Sequence, residues 1–339
     1  MEVLNGFNTF VDQHKIGFKL TPILVGELYL AKSLKHPVYV FIDETFQPVF
    51  TSGTPPSKEQ ILQLIKSNFK EVYVYREDQE AIKAHLEQAL LKITRSLSIG
   101  DPLQNGAKEL KLLSMNLDNL YRDPHSDERL MLQFQSIQNL GKFLIENKKQ
   151  QSLLFQNLAS ENFHFTMIQP MLSSMLLLSF IQNLHLFHEK EVENLFSASY
   201  FKDIGFSMIP SDKYDLKDLK PHEKDLFANH ADFSFELLEG RLPISKSYLS
   251  IIKNHHFMND RIKNIASKNH PHDEQEIIYG IESTLVSVFD IFVAMTSDRP
   301  YRKGMTHYKA LEVIKKIMAD DYPQEFKALV IFLKQFFKN

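Results

Sequence analysis

The sequence predicts a mainly α-helical fold, with a small α+β domain at the N-terminus and a helical bundle toward the C-terminus. Three observations lead there. Short stretches rich in Val and Tyr fall only in the first hundred residues, whereas apolar residues recur at helical spacing from Ala107 onward. The last third holds apolar helical runs that carry isolated carboxylates and histidines. A chain of 339 residues is long for one domain, and length alone suggests two. The expected divisions are residues 1–100 for the α+β domain, 101–160 for a helical connecting region and 161–339 for the bundle.

In the first part, PVYVFID (Pro37 to Asp43) and EVYVY (Glu71 to Tyr75) have the length and composition of strands. Between them Thr51 to Pro56 reads as a turn. Ser57 followed by Gln60 forms a capping box ahead of ILQLIKS. A helix is expected over Asp78 to Ser96, where Ala81, Ile82, His85, Leu86 and Leu90 share one face. Ser98 to Gly106, with Gly100, Asp101 and Pro102, is a break. Helices then follow on either side of a turn at Asp123 to Ser126, the second over Leu130 to Asn147. Lys148 to Gln151 reads as surface, and Pro170 as a kink or a helix start. Asn259 to Gln275 is the longest polar loop. Thr306 is the expected N-cap of a helix over His307 to Met318.

Composition excludes several functions. With 43% hydrophobic and 24% charged residues and a formal charge of -3, the chain has no broad electrostatic drive toward nucleic-acid polymers. It has no cysteine, hence no disulfide, thiolate metal site or cysteine nucleophile. The start, MEVLNGFNTFVDQHK, lacks the pattern of a signal peptide. The most apolar run, Met171 to Phe180, is half the roughly twenty residues that a membrane span needs, so a buried helix and a cytoplasmic location are expected. No phosphate-binding glycine loop, no HExxH and no strand-turn-helix nucleophile elbow occurs.

The residues with chemical promise lie in the last third. Asp290 is the one carboxylate in the apolar run VSVFDIFVAM, and burial there is costly unless a positive group holds it. Upstream are Asp203 in YFKDIGFSMIP, His230 in FANHADFSFELL, and the adjacent His255 and His256 in IIKNHHFMND. Imidazoles and carboxylates are the donors of a nitrogen-and-oxygen transition-metal site, here one between helices. Each residue also has an ordinary reading: Asp203 as a helix-terminal aspartate, His230 as a core histidine, and the pair as a polar run. On a helix the adjacent pair would point about 100° apart. His270 and His272, beside Asp273, read as a solvated loop. Arg299, Tyr301, Arg302 and Lys303 suit phosphate, or a salt bridge of Arg299 with Asp298 or Glu312.

Residues from about His164 to Met318 resemble the HD-GYP family, bacterial metal-dependent phosphodiesterases of cyclic di-GMP within the HD phosphohydrolase group. SVFDIFVAMTSDRPYRKGMTHYKAL is the most specific match. YFKDIGFSMIP, LKPHEKDLFANHADFSFELL and IIKNHHFMND follow in the family's order. The resemblance implies an HD-type helical bundle in which Asp203 bridges metals and His230, His255, His256 and Asp290 ligate. His164 is a match for the first-helix ligand, though too far from Asp203 for an ungapped alignment. Arg299 and Arg302 would line the phosphate side. The family's motifs are also degenerate here. Lys202 replaces the histidine of the His-Asp pair, Phe206 replaces the lysine of DIGK, Val293 replaces a common aspartate, and the GYP loop is missing.

These departures imply a degenerate HD-GYP-like signalling module. It would keep a partial site for a divalent transition metal, iron or manganese, as one or two ions at incomplete occupancy, and for a cyclic dinucleotide, with weak or no hydrolysis. Partner signalling proteins and a homodimer are expected with it. The alternatives are an active metal-dependent cyclic di-GMP phosphodiesterase with unconventional ligands, and a purely structural helical domain.

Overall fold

A computed structural model describes residues 17–184, 186–258 and 280–338. His270, His272, Asp273 and the whole of the polar loop expected over Asn259 to Gln275 lie outside the described residues, as does the N-terminal stretch read for a signal peptide. The chain forms two compact units, divided between Lys92 and Ile93.

The first unit is built on a four-stranded antiparallel sheet in the order β1-β4-β2-β3, with β1 at Leu20–Leu24, β2 at Val38–Ile42, β3 at Thr45–Phe50 and β4 at Glu71–Tyr75. Alternation sorts its faces. Val38, Val40, Val72 and Val74 are buried in a core with Ile23, Ile61 and Ile82, while Tyr39 and Tyr75 approach each other on the opposite face at 6.5 Å. Helix α1 (Lys58–Lys66) begins at the expected capping box: Ser57 Oγ accepts from the Gln60 amide at 3.3 Å, and Gln60 Oε1 accepts from the Ser57 amide at 2.8 Å. Helix α2 spans Arg76–Ser96. Strands β1 and β3 are additional to the two expected. Each contains a proline, Pro22 or Pro48, and each is an edge of the sheet, where a missing backbone donor is tolerated and blocks further pairing.

The second unit is helical: α3 (Pro102–Arg122), α4 (Asp127–Glu146), α5 (Gln151–Ala159), α6 (Phe165–Ile181), α7 (Glu189–Phe201), α8 (Pro221–Ala228), α9 (His230–Leu238), α10 (Lys246–Lys253), α11 (Ile281–Thr296), α12 (His307–Met318) and α13 (Pro323–Phe336). Asp101 caps α3 and Thr306 caps α12, through the Gln104 and Lys309 amides. Helices α6 and α11 are buried around most of their circumference and pack on each other, with α7 also against α6. The apolar run Met171 to Phe180 lies in this interior. No described helix is long and apolar enough to cross a membrane.

Pro170 neither starts nor ends a helix: α6 runs through it. A proline lacks the amide that would bond to the carbonyl four residues back, here that of Thr166. The Tyr121 hydroxyl of α3 donates to that carbonyl at 3.1 Å instead.

Another polar group is buried further toward the N-terminal end of α3. Glu109 of α3 has no exposed surface. Thr94 Oγ1 lies 3.0 Å from its Oε1 and 2.9 Å from Ser136 Oγ, and Glu109 Oε2 is buried without a hydrogen-bond partner among the described residues. Burial pushes this carboxyl up to about 8, the Thr94 hydrogen bond acting weakly in the other direction.

Candidate metal centre

Helix α7 ends at Phe201, and the turn that follows carries Lys202 and Asp203 into the interior. The turn is held by Ser234 of α9, whose hydroxyl donates to the Lys202 carbonyl at 2.6 Å and accepts from the Gly205 amide at 2.8 Å. Gly205 is required there. A Cβ would stand 2.1 Å from the His230 carbonyl oxygen, so any side chain would push the start of α9 away.

The stretch LKPHEKDLFANHADFSFELL forms two helices, α8 and α9, with a break at Asn229. The break leaves the Phe227 carbonyl free to accept from His230 Nδ1 at 2.5 Å. His255 repeats the arrangement after α10, its Nδ1 2.6 Å from the Ile252 carbonyl three residues back. A carbonyl only accepts, so both Nδ1 atoms carry the hydrogen, and in a neutral ring the Nε2 that faces the cluster offers a lone pair. Ser287 of α11 donates to the His255 carbonyl at 2.6 Å and fixes this segment from the other side.

His255 and His256 do not diverge as they would on a helix. Helix α10 has ended at Lys253, and in the turn beyond it both rings face the same cluster, their centroids 3.9 Å apart. One ligand atom from each of Asp203, His230, His255 and His256 lies within 4.8 Å of every other. Asp203 Oδ1 is 3.3 Å from both His230 Nε2 and His255 Nε2. His256 Nε2 is 2.9 Å from His230 Nε2. Burial, followed by the neighbouring His255 and His230, lowers the His256 imidazole to about 3, so it is neutral near pH 7.

This arrangement fits a metal ion. Lone pairs of two imidazoles and a carboxylate oxygen converge at close range, and His255 Nε2 is buried with no hydrogen-bond partner among the described residues. Anchoring Nδ1 on a backbone carbonyl is the outer support that metal-bound imidazoles ordinarily have. Asp203 Oδ1, His230, His255 and His256 would hold one divalent ion.

Lys202 occupies the other side of Asp203. Its ammonium, entirely buried, contacts Asp203 Oδ2 and lies 2.9 Å from Asp290 Oδ1. Burial by itself would lower the Lys202 pKa, but the Asp203 and Asp290 carboxylates outweigh it and raise the value. Both carboxyls lie below their ordinary range: burial would raise them, and the Lys202 charge overrides it. This is the positive group that the isolated Asp290 of α11 required.

The first-helix contribution differs from expectation. His164 is outside the cluster: it caps α6, with Nδ1 2.8 Å from Thr166 Oγ1 and Nε2 2.7 Å from Asp215. Gln169, one turn into α6, reaches the site and donates to Asp290 Oδ1 at 3.0 Å. An uncharged glutamine between Ile168 and Pro170 gives no chemical signal in the sequence.

Arg299 donates to Gln169 Oε1 and stacks 3.7 Å above the Phe165 ring. It lines one cavity with Asp203, Phe206, His230, His256, Asp290, Thr166 and Gln169, on the order of 70 Å³ in volume. Arg302 turns the other way and donates to the Ala294 and Met295 carbonyls at the end of α11. Asp298 pairs with Lys303 at 2.7 Å, leaving Arg299 for the cavity. Gly304 permits this hairpin, since a Cβ there would meet the Thr296 carbonyl oxygen at 2.1 Å. Phe206 lies flat against the His230 imidazole, centroids 4.2 Å apart. Its position therefore supplies an apolar wall with no charge. Lys202 and Arg299 balance Asp203 and Asp290, so these four groups contribute no net charge before an ion enters.

A family model described as an HD domain matches residues 152–323, just over half of the chain. Among solved structures the chain is similar to Bd1817, an HDG"Y"P protein from Bdellovibrio bacteriovorus. The TM-score is 0.60 and the identity 16%, over 93% of this chain and 99% of that one. No curated protein sequence matches the chain. That likeness shows a shared fold, and the family match covers the helices and turns that carry every donor described above. The chain belongs to the HD domain family and has the fold of an HD-GYP protein.

Proposed function

We propose that the chain is a degenerate HD-GYP-like signalling module. It binds one divalent metal ion at Asp203, His230, His255 and His256, and through it a phosphate group of a cyclic dinucleotide of the cyclic di-GMP class, with weak or no hydrolysis. The observation that carries this reading is the Lys202 ammonium buried between Asp203 and Asp290. A divalent ion held by these residues would supply Lewis-acid chemistry toward a phosphate, and hydrolysis would call for a second ion beside it. An ammonium cannot ligate, and it holds the carboxylate oxygens that a second ion would need. Phe206 provides no cation toward a scissile phosphate.

The chain's own residues keep the binding half of the chemistry. Arg299 presents a guanidinium to the cavity, and His256, neutral near pH 7, is available to an ion without competition from a proton. A cavity of this volume holds an ion and a few waters, whereas drug-sized ligands fill roughly 300–1,000 Å³. Only the phosphate of a dinucleotide would enter, and its nucleosides would lie outside. The output is then a change in contacts with a signalling partner or a second copy of the chain.

The test combines metal content with turnover on one sample, purified without chelator and without oxygen. At most one ion per chain, calorimetric binding of cyclic di-GMP and no linear product are expected. The retained donor cluster supports a second reading, an active phosphodiesterase with unconventional ligands. Two or more ions per chain with turnover would establish it and defeat the first.

A further inference from the structure

Lys202 does more than exclude an ion. Asp203 belongs to the turn after α7, whereas Asp290 lies in the middle of α11, and both carboxylates are buried. Without a cation between them two like charges would face each other in the interior, which neither segment could tolerate in the folded state. Lys202 resolves the conflict with an ammonium that the chain itself supplies, in contact with Asp203 and 2.9 Å from Asp290. Its backbone is anchored too, through the Ser234 hydroxyl of α9 at 2.6 Å. One residue thus joins the end of α7, α9 and α11, the elements that carry or flank the metal donors.

We infer that Lys202 is a tethered cation standing in for a metal ion: it ties α7 to α11 in the absence of metal and limits the site to one exchangeable ion. The first half depends only on the observed contacts. The second half rests on the metal-binding reading above. A consequence is that the folded state does not need metal, whereas the same bundle without this ammonium would.

The experiment uses the full chain and its Lys202→Met and Lys202→His variants. Thermal unfolding is followed in EDTA and in manganese, and bound metal is counted by elemental analysis. The wild type should unfold cooperatively in EDTA. Lys202→Met should lose roughly 6–20 °C of midpoint in EDTA and recover much of it in manganese. Lys202→His should carry one more ion per chain than the wild type. A Lys202→Met protein as stable as the wild type in EDTA would overturn the cross-link. An unchanged ion count in Lys202→His, or two ions in the wild type, would overturn the one-ion limit. If Lys202→Met does not fold, the double variant Lys202→Met/Asp290→Asn decides: it should recover stability, because two like charges no longer face each other, and no recovery would refute the cross-link. A wild type that binds no metal, with Lys202→Met still destabilised, would defeat the metal reading and leave the cross-link standing.

Discussion

Glu109→Gln should convert a pH-dependent bundle into one nearly indifferent to pH at this position. Glu109 has no exposed surface and, among the described residues, one hydrogen-bonding neighbour, Thr94, and burial raises its carboxyl from 4.5 to about 8. At about 1.4 kcal/mol per pH unit, that difference corresponds to about 5 kcal/mol. The sign follows from where the proton sits. The folded state holds the proton more tightly than the unfolded chain, so the stabilising contribution is complete below about pH 4.5. It declines as pH rises and is gone above about 8. Glutamine keeps the shape and lacks the titration. Urea unfolding at pH 5, 7 and 9 would measure the comparison directly. Wild type and variant should be close in stability at pH 5. By pH 9 the variant should be ahead by about 5 kcal/mol, or roughly 10–20 °C in midpoint for a unit of this size. Parallel stabilities across the three pH values would refute the assignment of a neutral buried acid.

Three further outcomes follow from the centre and its supports. His256→Ala and Asp203→Ala should each cut bound metal at least tenfold by elemental analysis, whereas His164→Ala, which removes the cap of α6 and the contact with Asp215 but no member of the cluster, should leave the ion count unchanged. Gly205→Ala places a Cβ 2.1 Å from the His230 carbonyl oxygen. Displacement of α9 should cost about 1–3 kcal/mol and weaken metal retention, and full stability with full metal would contradict the described contact. Arg299→Ala should weaken calorimetric binding of cyclic di-GMP about tenfold or more, while Lys303→Ala, whose ammonium is paired with exposed Asp298, should not.

Much of the centre is legible in the sequence because its residues break their local pattern. Asp290 stands out as one carboxylate among apolar residues, and the order Asp203, His230, His255, His256 picks out the four residues that the fold brings within 4.8 Å of one another. Pairing is not legible. Lys202 reads as a departure from the family's His-Asp pair, and only the fold reveals that Asp290, 88 positions later, is the carboxylate it also holds. The rotation expected for two adjacent histidines assumes a helix that has already ended at Lys253. Gln169 escapes because an amide carries no signature of its role, and His164 attracts notice because it does, although its ring is committed to Thr166 and Asp215. In the first unit, Glu71–Tyr75 is recovered residue for residue, while Leu20–Leu24 and Thr45–Phe50 are hidden by prolines that only an edge position permits.

The hydroxyl of Tyr121 gives the matched segment a dependency on what precedes it. Pro170 removes one rung from the ladder of α6 in the turn that presents Phe165, Thr166 and Gln169 to the cavity, and the replacement donor comes from α3. Helix α3 lies upstream of residues 152–323. A chain trimmed to that span would keep every metal donor and yet leave the Thr166 carbonyl without its donor at the cavity wall. The smallest piece that keeps the cavity wall hydrogen-bonded as described is therefore longer than the piece that carries the signature, and it includes Tyr121 of α3.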